Sequence, residues 1–379
     1  MAAMTPMWTI PCALMLSACV QAPEVESEAH LLLVSQAGST TVAVIDPSTE
    51  RVLSRIEVGQ LPHRIVRTRA GDKAYVVLVG SQAIAELDTQ RLRVTRTFLT
   101  AELPDNAGHD REQASEHVSC FDCHRPGGQK PFVVGERPVG IALSEDESLL
   151  YVSHIRGARI SVIDLASGQL ERSVSLQPST AAVEAADLVR LGESLVIALR
   201  PTQPSTEPGA VRFLDVHSLS EQAEYGVGSD PASLLPLPER DSVLVSNFDS
   251  DHLSELGLAR APARFSVAPG PLGALALDAG RVLSLDYYSN RASLLDLQSS
   301  DVSALPLEHA GRGYVNPTHA AASPDGERWY VVSSGTDAHL LIMDARQRAL
   351  RAAIPIDGLS FDVVVIPRLM AATIQETAR

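Results

Sequence analysis

From Ala29 onward the chain alternates short apolar runs with turn residues, and no stretch holds a 3.6-residue hydrophobic period for long. Ala29–Ser35, Thr41–Asp46 and Val52–Val58 read as three successive strands, broken at Gly38-Ser39 and Pro47-Ser48. The same grammar then recurs. An apolar stretch ending in aspartate appears at Val44-Ile45-Asp46, Leu87-Asp88, Val162-Ile163-Asp164, Phe213-Leu214-Asp215, Leu294-Leu295-Asp296 and Ile342-Met343-Asp344, with a weaker copy at Leu256-Gly257. A second marker, Val-Gly-x-x-Pro, stands at Val58–Pro62, Val134–Pro138 and Val227–Pro231, with looser versions at Pro271 and Pro317. A third is a strand led by tyrosine, at Tyr75, Tyr151 and Tyr330. An aspartate that closes a strand before a turn bonds its own backbone, so these aspartates predict turns, not chemistry.

Seven copies at a period near 40–50 residues, with about four strands each, are what a β-propeller requires. One four-stranded blade cannot bury both faces alone, so neighbours must stack around an axis. The chain begins in mid-repeat, and Gly358–Pro367 supplies the strand that Ala29–Val58 lacks. The expectation is an all-β, seven-bladed propeller whose last blade combines N- and C-terminal strands, leaving no free edge. The three markers together resemble the YVTN-type β-propellers over nearly the whole chain. That resemblance implies the fold and leaves the activity open.

Composition adds bounds. The chain has 379 residues, is 45% hydrophobic and carries a formal net charge of −15, which makes nucleic acid and anionic membrane surfaces poor partners. Trp8–Ala18 is an apolar run shorter than the roughly 18 residues a membrane helix needs. It ends in Leu16-Ser17-Ala18-Cys19, which resembles the lipobox of bacterial lipoproteins, where the cysteine becomes the lipidated first residue. Met1–Met7 departs from a signal peptide in having no Lys or Arg. The expected layout is a signal peptide over 1–18, a tether over 19–28 and the propeller over 29–379. The location expected is the cell envelope, on the periplasmic side or the outer surface, held to the membrane by Cys19 alone.

One long gap between markers, residues 100–133, holds Cys120-Phe121-Asp122-Cys123-His124. Cys-x-x-Cys-His is the attachment signature of a c-type haem: each thiol takes one vinyl group, and the next histidine is carried beneath the iron. The pair also allows a disulfide, or a zinc site with two of His109, His117 and His124. Only haem needs a histidine directly after the second cysteine, which favours haem c over zinc. The gap is too short for a whole cytochrome domain. It should lie over the face where each inner strand begins, and His63, His154 and His319 map to that face. After the leader only Met343 and Met370 remain, so a histidine, chosen among His63, His109, His117, His154 and His319, or an open position is expected opposite His124.

No phosphate-binding glycine loop, Gly-x-Ser-x-Gly elbow or His-Glu-x-x-His pair occurs. The reading is therefore an exported lipoprotein propeller with one haem c and an electron-transfer or redox role. Its partner is an unspecified redox protein or small molecule, and whether it is an enzyme stays open. The alternative is a non-redox propeller that binds a ligand or a protein, its cysteines held in a disulfide or a zinc site.

Overall fold

The computed structural model describes residues 30–100, 137–155, 158–176, 183–202 and 207–368. Seven four-stranded antiparallel sheets form the blades. Blade 1 runs from β1 (His30–Gln36) through β2 (Thr41–Asp46) to β3 (Arg51–Glu57), and blade 2 comprises β4 (Pro62–Arg67), β5 (Lys73–Leu78), β6 (Ala83–Asp88) and β7 (Arg93–Leu99). Blade 3 comprises β8 (Pro138–Leu143), β9 (Leu149–His154), β10 (Arg159–Asp164) and β11 (Leu170–Ser175). Blade 4 comprises β12 (Val183–Leu191), β13 (Ser194–Pro201), β14 (Ala210–Asp215) and β15 (Glu221–Gly226). Blade 5 follows with β16 (Pro231–Leu237), β17 (Ser242–Asn247), β18 (His252–Gly257) and β19 (Arg260–Ser266). Blade 6 comprises β20 (Pro271–Ala276), β21 (Arg281–Asp286), β22 (Arg291–Asp296) and β23 (Val302–Pro306). A small hairpin, β24 (Glu308–His309) with β25 (Arg312–Gly313), precedes blade 7: β26 (Pro317–Ala322), β27 (Arg328–Ser333), β28 (His339–Asp344) and β29 (Ala349–Pro355). The last strand, β30 (Ser360–Pro367), is the inner strand of blade 1, where it pairs with β1. The ring closes as the repeat pattern predicts. The described residues contain no α-helix.

Strand alternation explains the stacking. On β1, Leu31 and Leu33 pack into one neighbour and Leu32 and Val34 into the other. The same division repeats, so each of the seven blade-to-blade junctions has its own hydrophobic cluster. The marker aspartates close the third strand of their blades and accept backbone N–H groups two or three residues on. Examples are Asp88 with Gln90 and Arg91, Asp215 with His217 and Ser218, and Asp296 with Gln298 and Ser299. Hydrogen bonds from Ser48 and Arg368 outweigh the opposing effect of burial and hold the Asp46 carboxyl down at about 2.

A polar position recurs at the last residue of the second strand. Gln36, His154, Asn247 and Asp286 each reach the third strand of their own blade, bonding Thr41 (2.8 Å), Ser161 (2.8 Å), Ser254 (3.0 Å) and Ser293 (2.5 Å). All four are fully buried. Burial pushes the Asp286 carboxyl up to about 6, although Ser293 and Ser284 both donate to it. Because this value lies above that of the unfolded chain, the protonated group's contribution is fully present below pH 4 and is lost as the pH rises through 6. Asp286→Asn should therefore gain on the wild type by about 2 kcal/mol between pH 4 and pH 7.5 in urea unfolding. An unchanged difference between the two pH values would contradict this.

Candidate functional site at the channel mouth

In an antiparallel blade the inner strand starts on one face, and the loops from strand two to strand three open on that same face, here called the upper face. Each inner strand pairs out of register near its start. These β-bulges bend the strand and re-aim its side chains. Arg64, Gly140, Asp187, Ser233, Gly273, His319 and Asp362 occupy the equivalent position in blades 2 to 7 and blade 1. This position stitches neighbouring inner strands together. Asp362 Oδ2 accepts the Ile65 N–H (2.9 Å), Asp187 Oδ2 accepts the Leu234 N–H (2.9 Å), and Ser233 Oγ donates to the Leu272 carbonyl (2.6 Å). His319 Nδ1 lies 3.2 Å from the Phe361 carbonyl. Where the position is glycine, the strands come closer still. A Cβ on Gly140 would sit 2.4 Å from the Leu188 nitrogen, and one on Gly273 would sit 2.1 Å from the Thr318 carbonyl oxygen.

Arg64 breaks the pattern. Instead of bonding blade 3, it forms an ion pair with Asp187 of blade 4. Asp187 and Asp362 each also accept the N–H of the residue that follows them, Leu188 and Val363, both at 2.9 Å. Burial opposes the Arg64 charge, but Asp187 and Asp362 more than offset it and raise its pKa. Burial raises the Asp362 carboxyl, with Arg64 pulling the other way. Two carboxylates and one guanidinium thus stand at the neck of the channel.

One residue earlier on each inner strand lie His63, Val139, Ala186, Ala232, Leu272, Thr318 and Phe361, all buried. On one side of the mouth, three successive inner strands bring His63, His319 and Phe361 together. The His63 ring stacks on Phe361 with centroids 3.5 Å apart, and His319 is tilted against it at 4.5 Å. The two imidazoles are 2% and 6% exposed. On another side, Ala232, Leu272 and Phe248 pack with Tyr287, and the half-exposed Tyr288 lies 4.6 Å from the Phe248 ring.

Of the residues singled out from the sequence, the structure brings His63 and His319 together. It places His154 elsewhere, inside blade 3 on Ser161. Cys19, His109, His117, Cys120, Cys123 and His124 lie outside the described residues. The positions that bracket the long insertion are described. Thr100 bonds the Gln82 carbonyl through its N–H (3.1 Å) and its hydroxyl (3.0 Å), and the Arg137 carbonyl accepts the Ile155 N–H (2.7 Å). Both are buried, and both belong to the upper face. Among the described residues, no three His, Cys, Asp or Glu side chains are grouped to hold a metal ion. Asp187 and Asp362 were not apparent as site residues. The signal that finds them is the inner strands aligned in register, where a charge interrupts an otherwise apolar run.

No known protein family matches the sequence, and no curated protein resembles it significantly. Solved structures do resemble it in fold. A functionally unknown protein from Desulfotomaculum acetoxidans superposes with a TM-score of 0.65 at 9% identity, covering 90% of this chain and 100% of its own. The dihydro-haem d1 dehydrogenase NirN, in complex with DHE, gives 0.58 at 13% identity over 92% of this chain and 78% of its own. Kuenenia stuttgartiensis hydrazine synthase gives 0.58 at 14% identity over 91% and 99%. At these identities the likeness establishes the β-propeller architecture.

The position of His154 makes it a counterpart of Asn247. His154→Ala should cost about 2–4 kcal/mol, from the cavity and the abandoned Ser161 hydroxyl. His154→Asn, which can restore the bond as Asn247 makes it, should cost clearly less in the same denaturant titration. Equal losses for the two variants would remove His154 from this structural set.

Proposed function

We propose that the protein is a cell-envelope β-propeller of the YVTN type that carries one haem c and serves electron transfer or another redox role. Cys120 and Cys123 would hold the haem covalently, with His124 as its proximal ligand. The observation that carries this reading is a coincidence of place. The Cys-x-x-Cys-His motif lies in a segment whose flanking residues, Thr100 and Arg137, belong to the face where His63 and His319 converge.

The chemistry of the mouth fits such a group. Its side chains are imidazole, aromatic and aliphatic, which suits a flat, largely apolar macrocycle with an iron that takes nitrogen ligands. His63 or His319 would be the propeller residue that offers the iron a further imidazole nitrogen. Arg64 would not serve a haem carboxylate, because its charge is already engaged by Asp187 and Asp362. Arg69 is bonded to Glu145, beyond the far end of its inner strand, and Arg137 is the arginine nearest the insertion in sequence. One structural neighbour is named for a haem substrate, which agrees with this reading. The haem, when bound, supplies one-electron chemistry; the propeller supplies the walls that exclude water. Cys19 would carry the lipid that holds the protein to the membrane. The partner is a redox protein or a small molecule.

Exported protein, made together with c-type haem attachment machinery, should give a pyridine haemochrome spectrum equivalent to one haem per chain. The haem should survive denaturing electrophoresis and be absent from Cys120→Ser/Cys123→Ser. Folded, exported protein without covalent haem would contradict the reading. One zinc per chain, or a Cys120–Cys123 disulfide, would favour a non-redox propeller that binds a ligand or a protein.

A further inference from the structure

Two carboxylates, Asp187 and Asp362, are buried at the neck of the channel, yet neither belongs to the mouth itself. Their oxygens are occupied by backbone. Asp362 holds the N–H of Val363, two residues after Phe361, and that of Ile65, two residues after His63. The Phe361 carbonyl in turn meets Thr318 Oγ1 (2.7 Å) and His319 Nδ1 (3.2 Å). One carboxylate thus sets the start of two inner strands, and a third strand is set against their shared aromatic ring. Burying two carboxylates close together is costly unless a counter-charge stands beside them. Arg64 provides it: its guanidinium is ion-paired with Asp187, and Asp362, whose Oδ2 holds the N–H of Ile65, the residue after Arg64, adds to the field that favours its charge.

We propose that Arg64 is a positioning residue for the channel-mouth histidines. By balancing Asp362 and Asp187, it keeps their backbone bonds in place and so fixes His63, Phe361 and His319 relative to one another. Without the guanidinium the two carboxylates repel each other in a buried space. The bonds to Ile65 and Leu234 loosen first, and the rings beside them shift. Blade 6 should be indifferent, because its equivalent position is Gly273 and carries no charge.

The purpose of this arrangement rests on the haem reading, but its test does not. The test uses the full-length chain expressed without haem attachment machinery, so the failure of one reading is distinguishable from the failure of the other. In Arg64→Met, amide hydrogen exchange should quicken at least tenfold more at Ile65 and Leu234 than at Ala274 of blade 6. The imidazole ¹⁵N signals of His63 and His319 should move while that of His217 on the surface stays. Arg64→Lys should restore much of both. If Arg64→Met does not fold, Arg64→Met/Asp187→Asn removes one charge of each sign, and it is read at Ile65 and the two histidines. Exchange that quickens equally in every blade, or histidine signals that stay where they are, would overturn the proposal.

Discussion

Pairing of β1 with β30 sets His30 opposite Pro367 and Val34 opposite Val363, and so joins the two ends of the described chain within one sheet. The pairing gives blade 1 its fourth strand and covers the inner edge of β1. The pairing also completes two hydrophobic junctions, since Val363 packs toward blade 7 and Ile366 toward blade 2. Closing so long a loop is entropically costly, yet the cost grows only slowly with length, and burial at the junctions offsets it. The other blades are held by local hairpins. This one is held by the most distant strand pairing among the described residues, and β30 also carries Phe361 of the mouth and Asp362 of the neck.

The seven blades are alike in their cores and unlike at their inner edges. Equivalent inner positions hold arginine, aspartate, serine, histidine and glycine, and all but Arg64 meet the neighbouring inner strand. The difference is concentrated. Charge at the neck links blades 1, 2 and 4, imidazoles gather over blades 7, 1 and 2, and aromatic rings gather over blades 5 and 6. A symmetric scaffold therefore carries a one-sided mouth, which is how a common fold acquires a particular site.

Much of the fold was legible because its rules are local. Aspartate after an apolar strand marks a turn wherever it occurs, and proline after Val-Gly marks the start of an inner strand. Blade 4 was the least legible, since β12 begins at Val183 without the proline that opens β4, β8, β16, β20 and β26. The missing marker also hid Asp187. His63 and His319 were legible as residues of the upper face because each follows, by one or two residues, the proline that opens an inner strand. His154 was not legible as a blade residue, because its place beside a turn suggests exposure, whereas strand alternation turns it inward to Ser161. The ion cluster could not be read from any one stretch, because its members lie on three strands and meet only when the ring closes.

In the proposed function a covalent haem in the insertion meets two histidines that the ring gathers around Phe361. Low-temperature EPR of the oxidised, exported protein tests that contact most directly. Wild type should be low-spin, and His63→Ala/His319→Ala should become high-spin with the covalent haem retained. A low-spin spectrum unchanged by the double substitution would show that the mouth does not ligate the haem, and it would contradict the account.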